Sequence, residues 1–193
     1  MSEKTHAQEF ISHLENLDEA LKSGTVATII EINGERYPKL SSTTFATCIC
    51  EFTQEEIILK HRELSSFMIE KGIKTIKTIN YKDISSVELG ILRKLNTVFG
   101  GFPATFLKLF IEIKQKDNTI YSFECSDFEQ LPIIFNILKS NNVTILDPLS
   151  LNKLYTEKPV NEVTKYLHEN YEEIVKDVDS DRYNEDLSFV KRY

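Results

Sequence analysis

Apolar and β-branched residues alternate with polar residues in several short segments of the chain. Residues 25–32 predict a first strand, and the Asn33-Gly34 pair after it is typical of a tight hairpin turn. A polar stretch at 53–56 predicts another turn between two strands. The remaining strands are predicted at 45–52, 57–59, 75–81, 107–114 and 119–125.

The alternation also assigns faces within the strands. In 107–114 the odd-numbered residues are all aliphatic and are expected in the core, which places Phe110 on the outer face. Cys48 and Cys50 lie two apart, so both thiols are expected on one face of their strand. A thiolate metal site would need a further Cys or His pair, and only Cys125 remains. Buried free cysteines are the favoured interpretation.

Three other segments repeat apolar residues at helical spacing. Residues 5–22 predict an N-terminal amphipathic helix that docks on the domain. A second helix is predicted to start close to Pro132, because proline fits best in the first turn. A third is predicted to start near Pro159, and the acidic chain from Asp179 onward is expected to fray. The apolar face of this third helix comprises Val160, Val163, Leu167, Tyr171, Ile174 and Val178.

The net charge of −7 is unevenly distributed along the chain. Residues 60–116 carry 11 Lys/Arg against 5 Asp/Glu, whereas both ends are acidic. The overall negative charge disfavours nonspecific nucleic-acid binding. The basic middle is interpreted first as lysines that alternate outward along strands. Alternatively, it forms a face that meets an anionic surface or the chain's own acidic end.

Localisation follows from what the sequence lacks. No apolar run approaches the roughly 20 residues that a membrane span needs, and the N-terminus has no apolar signal segment. The three cysteines are an odd number without disulfide-rich spacing, which fits reduced thiols. These features predict a cytoplasmic protein.

Motifs for catalysis are absent from the sequence. It has no glycine-rich phosphate loop, no GxSxG and no HExxH, and its four histidines are scattered over separate segments. Residues 177–181 resemble the opening of a calcium loop, but Arg182 and Ser188 stand where that loop needs glycine and glutamate. We therefore predict that the chain is not an enzyme and has no cofactor or metal site.

Residues 79–88 (INYKDISSVE) join two apolar segments across a polar turn. The Lys-Asp pair forms the turn, and Ile84, Val87 and Leu89 re-enter the core. This run resembles the bacterial pleckstrin-homology-like (PH-like) domains, including the GRAM-type ones, in which an Ile-x-Tyr-x-Asp-Ile-Ser/Thr-Ser-Val run ends one strand and opens the next. The similarity covers about residues 25–142.

The resemblance implies an α+β fold. PH-like domains consist of a strongly bent antiparallel β-sheet or barrel of six to seven strands, capped at one open end by an α-helix. On this basis, 1–24 is an additional N-terminal helix packed on the domain, and 25–142 is the PH-like domain. Residues 143–193 then form a C-terminal helical extension with an acidic tail.

Residues 90–106 depart from the family pattern. Compact bacterial members have a short hairpin here, whereas this segment is predicted to be a longer apolar connection broken at 100–103. So many apolar residues cannot all be exposed on a soluble monomer. They are expected to pack under the terminal helices, in particular the one near 160–178. A self-association or protein-binding surface is the second possibility, and insertion into an anionic membrane surface is the third.

The resemblance implies a binding role, because PH-like domains commonly bind peptides, lipids or other domains. We predict a non-catalytic cytoplasmic module that binds a protein or peptide or associates with itself. The alternatives are a peripheral module for anionic lipid and a small acidic inhibitor of the immunity type. The first interstrand loop has too few basic residues to hold a polyphosphorylated headgroup. The candidate partner or lipid contacts are Arg93, Lys94, Phe99, Phe102, Arg36 and Lys39.

Overall fold

The computed structural model describes residues 24–37, 48–64, 70–97, 103–178 and 181–184, and it has an α+β fold. The predicted N-terminal helix at 5–22 lies outside these residues. The helices of the described part are α1 (Leu131–Ser140), α2 (Leu151–Glu157), α3 (Val160–Val175) and α4 (Asp181–Asn184). Its strands are β1 (Gly24–Ile32), β2 (Glu35–Tyr37), β3 (Cys48–Phe52), β4 (Glu56–Leu64), β5 (Glu70–Asn80), β6 (Ile84–Thr97), β7 (Pro103–Gln115), β8 (Ile120–Cys125) and β9 (Ile145–Leu146).

The strands of the described part pair in the order β5-β4-β3-β1-β8-β7-β6-β9, and β2 also pairs with β1. All neighbours are antiparallel except β9, which runs parallel to β6. β1 joins the two halves of this sheet, because its first residues pair with β3 and its last residues pair with β8. The predicted turn after β1 is confirmed: Asn33 and Gly34 both have positive φ, as a tight hairpin turn requires.

The junction between β5 and β6 is a short 3-10 turn at Tyr81–Asp83. The Tyr81 hydroxyl donates to the Thr53 carbonyl oxygen at 2.7 Å and so ties this turn to the turn between β3 and β4. Beyond it, Ile84, Val87 and Leu89 are buried, as the sequence pattern predicted. Residues 79–88 therefore lie where the chain passes from one half of the sheet to the other.

The prediction that 90–106 is an apolar connection was wrong for the described residues of that segment. β6 runs through to Thr97 and pairs continuously with β7, with Gly90 opposite Phe110 and Thr97 opposite Pro103. The alternating pattern is lost here because β6 is covered on both faces, so that the adjacent residues Ile91 and Leu92 are both buried.

α1 follows β8 and closes over the core, with Pro132 in its first turn as predicted. The start of α1 is held to the start of β1 by the Thr25 amide, which donates to the Gln130 side chain at 3.2 Å. The core is one continuous cluster that takes side chains from both halves of the sheet and from all four helices of the described part. The buried side chains of α1 are Leu131, Ile134, Phe135, Ile137 and Leu138.

The C-terminal part of the chain packs back onto β6. β9 pairs with Val87 and Glu88, and the Val87 amide donates to the Thr144 carbonyl oxygen at 2.9 Å. The Asp147 carboxylate then accepts from the first amides of α2, which stabilises the start of that helix. α3 begins after Pro159, and burial of Val163, Leu167 and Tyr171 confirms the centre of its predicted apolar face, while Val160, Ile174 and Val178 are partly buried. Val175, which was not predicted on this face, is also buried.

Candidate functional site

The predicted contact residues do not form one cluster. Arg93 and Lys94 are neighbours in β6, whereas Arg36 is in β2, and β1, β8 and β7 lie between the two strands. Arg36 lines a shallow cavity of about 410 Å³ at the β1–β2 hairpin together with Tyr37 and three other residues. Phe99, Phe102 and Lys39 lie outside the described residues.

The two cations of β6 are engaged by glutamates. Arg93 Nη1 lies 2.7 Å from Glu172 Oε1, and its guanidinium carbon is 5.3 Å from the centre of the Tyr171 ring. Lys94 Nζ lies 2.6 Å from Glu124 Oε1 on β8. Each of these cations therefore helps to hold one element of the domain against another.

A more elaborate arrangement is found at a place that sequence reasoning missed. The chain from Asp179 onward was expected to fray, but this prediction was wrong for α4: Tyr183 is only 2% exposed. α4 lies on the outer face of β6 and β7, where Arg182 and Tyr183 make the main contacts. We call this pair the clasp. We call the surface that receives it the slot, and it is formed by Glu88, Gly90, Phe110 and Glu112.

Arg182 contributes charge and stacking to the clasp. Its Nη1 lies 3.3 Å from Glu88 Oε2, and its Nη2 lies 3.0 Å from Glu112 Oε2. The guanidinium carbon is 4.4 Å from the centre of the Phe110 ring, a cation–π distance. This contact explains why Phe110 is buried although the alternation of β7 predicted an exposed, outward position.

Tyr183 fills the part of the slot next to Gly90. Its hydroxyl donates to Glu88 Oε1 at 2.5 Å, so one carboxylate binds both clasp residues. A Cβ on Gly90 would lie 2.7 Å from Tyr183 Cε1 and 2.8 Å from Cζ, closer than real side-chain atoms approach each other. The glycine in the middle of this long strand is thus explained by the aromatic ring that lies on its backbone.

The electrostatics of the slot favour a neutral tyrosine. Burial raises the pKa of the Tyr183 hydroxyl, and the hydrogen bond to Glu88 and the charge of that carboxylate raise it further. The nearby Arg182 guanidinium acts in the opposite direction. The phenol therefore remains a hydrogen-bond donor to Glu88 throughout the physiological pH range.

Tyr171 of α3 completes the contact between the C-terminal part and β6. Its hydroxyl accepts from the Arg93 amide at 3.2 Å and lies 3.1 Å from the Ile91 carbonyl oxygen. The Tyr171 hydroxyl oxygen also lies 3.2 Å from the Tyr183 carbonyl oxygen in α4. β9 and Tyr171 together satisfy backbone groups along the edge of β6 that faces away from β7.

The described residues show no other arrangement with evident chemistry. No three His, Cys, Asp or Glu residues in the described part of the chain are placed to hold a metal ion. Cys48, Cys50 and Cys125 are buried and not joined in disulfides, as the sequence predicted. Burial raises the pKa of the Cys125 thiol to about 12 and also raises that of Cys50, so both thiols stay protonated.

Two comparisons with known proteins found no match. No protein-family model matches the chain, and no curated protein matches its sequence. Among the described residues, none of the helices has the length and apolar character to cross a membrane.

One signal in the sequence could have drawn attention to the slot and the clasp. This signal is the glycine in the middle of a long apolar segment.

Proposed function

We propose that this chain is a PH-like, non-catalytic module that binds a protein or peptide. Seven antiparallel strands in the order β5-β4-β3-β1-β8-β7-β6, followed by an amphipathic helix, agree with the element order of that family. The INYKDISSVE run lies at the junction of β5 and β6, where the resemblance requires the end of one strand and the start of the next. These two agreements support the family assignment.

The slot is the observation that carries the binding role. It holds two side chains of a separate segment through two carboxylates, one aromatic face and the strand backbone at Gly90, which has no side chain of its own. Charge-assisted hydrogen bonds and aromatic anchors of this kind are what proteins use to recognise peptide segments. A surface with this chemistry is suited to binding a partner segment.

A lipid-binding role has weaker support. Arg93 and Lys94, the basic residues proposed for an anionic membrane, are already bound to Glu172 and Glu124. A phosphate headgroup would have to compete with those carboxylates. The slot itself carries two carboxylates, which would repel an anionic surface.

The proposal is tested by chemical crosslinking of the tagged full-length chain in its own cells, followed by mass spectrometry. We expect a protein partner crosslinked in defined proportion to the chain, and no such partner for the core variant Ile84→Asp, which controls for adhesion of unfolded protein. Co-sedimentation with phosphatidylserine vesicles is the second arm. Salt-sensitive pelleting with these vesicles, together with no crosslinked protein, would contradict the proposal.

A further inference from the structure

The clasp and the slot together point to a specific partner and to its regulation. Resting on the proposed function, we propose that Arg182 and Tyr183 are an internal ligand that occupies the partner site. The partner presents the same chemistry, an arginine followed directly by a tyrosine, and it binds after the clasp has left. The C-terminal segment is thus an autoinhibitory element.

The slot discriminates for this pair of residues. Two carboxylates, Glu88 and Glu112, flank a single guanidinium, and the Phe110 ring lies under it. Lysine cannot span both carboxylates with a planar group or stack on the ring in the same way. The space above Gly90 holds an aromatic ring, and Glu88 also accepts from its hydroxyl, which phenylalanine lacks.

The charged contacts of the clasp are suited to exchange. The side chains of Arg182, Glu88 and Glu112 remain 34%, 21% and 20% exposed, and ion pairs that reach solvent contribute little net stability. α4 has only four residues, so it is held by the slot and not by its own helical structure. A short element of this kind opens locally at a low free-energy cost compared with global unfolding.

Departure of the clasp leaves the domain closed. Tyr171 loses its contact with the Tyr183 carbonyl oxygen but still bonds to the edge of β6 at Ile91 and Arg93. The fold therefore does not depend on α4 for the edge of β6. Without the clasp, the slot is a folded surface with two carboxylates, an aromatic face and a glycine whose backbone is no longer covered by a ring.

Tethering explains why the internal ligand excludes weak competitors. A segment joined to the domain by a few residues acts at an effective concentration in the millimolar range. An external peptide with the same two residues must exceed this concentration, or make additional contacts, to replace the clasp. Removing the clasp side chains should therefore increase the affinity for an external Arg-Tyr peptide.

The experiment uses a fluorescent peptide with the sequence of residues 178–187, VDSDRYNEDL, and measures its binding to full-length protein by anisotropy. We expect the variant Arg182→Ala with Tyr183→Ala to bind the peptide at least about tenfold more tightly than the intact protein does. A peptide with alanine at both clasp positions should not bind. Adding Gly90→Val to the emptied variant should abolish binding, because the valine side chain fills the space of the ring.

The chain offers a matched control for composition. Arg192 and Tyr193 form the same dipeptide outside the described residues, and their replacement by alanine changes the sequence in the same way. This control variant should bind the peptide no better than the intact protein. Equal gains in the two variants would overturn the assignment of Arg182 and Tyr183 as the internal ligand.

Folding of each variant is checked by circular dichroism and thermal unfolding. If the double alanine variant does not unfold cooperatively, Arg182→Gln replaces it, since this change removes both ion pairs and keeps the Tyr183 ring. A folded variant with no gain in peptide affinity overturns the inference. The proposed function would still stand in that case if the full-length chain retains its crosslinked partner and Gly90→Val abolishes that crosslink.

Discussion

The ring of Tyr183 lies directly on the backbone of Gly90, within 2.7 Å of the position that a Cβ would take. We predict that Gly90→Ala displaces the clasp and lowers the free energy of unfolding by about 1–3 kcal/mol, the range for an overpacked core position. Chemical denaturation measures the change. In a background that already carries Tyr183→Ala, the same substitution should have little further effect, since the clash is then removed. Equal losses in both backgrounds would show that the ring does not lie on Gly90.

Tyr171→Phe tests the contact between α3 and the edge of β6. The substitution keeps the ring but removes the hydroxyl that bonds to the Arg93 amide and approaches the Ile91 carbonyl oxygen. We expect a loss of about 1–3 kcal/mol, because buried backbone groups lose their partner. Amide hydrogen exchange at Arg93 should also become faster. Tyr166→Phe on the same helix is the control, and an equal effect there would argue against the contact.

Ile84→Asp tests the junction between the two halves of the sheet. Ile84 is 6% exposed, and an aspartate there would bury a charge, at a cost of about 3–5 kcal/mol if no cation pairs with it. The neighbouring residue Ser85 is exposed, so Ser85→Asp provides the same charge on the other face of the strand. Thermal unfolding should show a large drop for the first variant and almost none for the second. Similar melting temperatures would mean that the register of β6 is wrong.

The thiol pKa shifts predict how stability depends on alkaline pH. The Cys125 thiol has its pKa raised from 9.0 to about 12 by burial, whereas in the unfolded chain it ionises near its ordinary value. The folded state therefore holds more protons above pH 9, so this contribution to stability is complete below pH 9 and is lost between about pH 9 and 12. Denaturation curves across this range should show a smaller fall for Cys125→Ala than for the parent protein. An unchanged fall would exclude Cys125 as a contributor.

Removal of residues 156–193 tests whether the C-terminal helices are part of the core. The deletion would expose the part of the core that Val163, Leu167 and Tyr171 now cover. We expect the truncated protein to bind the dye ANS or to aggregate, which the full-length chain should not do. A truncated monomer that binds no dye would show that α3 is an independent appendage.

Much of the fold was predictable because local signals and tertiary structure agree. The positive φ angles of Asn33 and Gly34, the start of α1 at Pro132 and the buried face of α3 follow from turn chemistry, proline geometry and helical spacing. Each of these signals is contained in a few neighbouring residues. These signals can be recognised without knowing which elements pack against each other in the fold.

The slot and the clasp were not predictable in the same way. Phe110 is apolar on a face that alternation assigns to solvent, and the distant Arg182 guanidinium over its ring accounts for its burial. An acidic stretch around α4 predicts a solvated tail on composition alone. Its contacts with Glu88 join residues that are 95 positions apart, a relationship that no local pattern contains.

The position of β1 between the two halves of the sheet has a consequence for the order in which the chain can fold. Its first half pairs with β3, which is close in sequence, whereas residues 29–32 pair with β8, which is far away in sequence. The Thr28 hydroxyl also bonds to the Glu124 carbonyl oxygen of β8 across 96 residues. Contacts of such long range are slow to form and lower the folding rate. During synthesis, β1 to β5 can emerge and associate before β8 leaves the ribosome. Until then the distal half of β1 pairs only with β2, and its other edge is an unpaired template on which another strand of the nascent chain or of a second chain can pair.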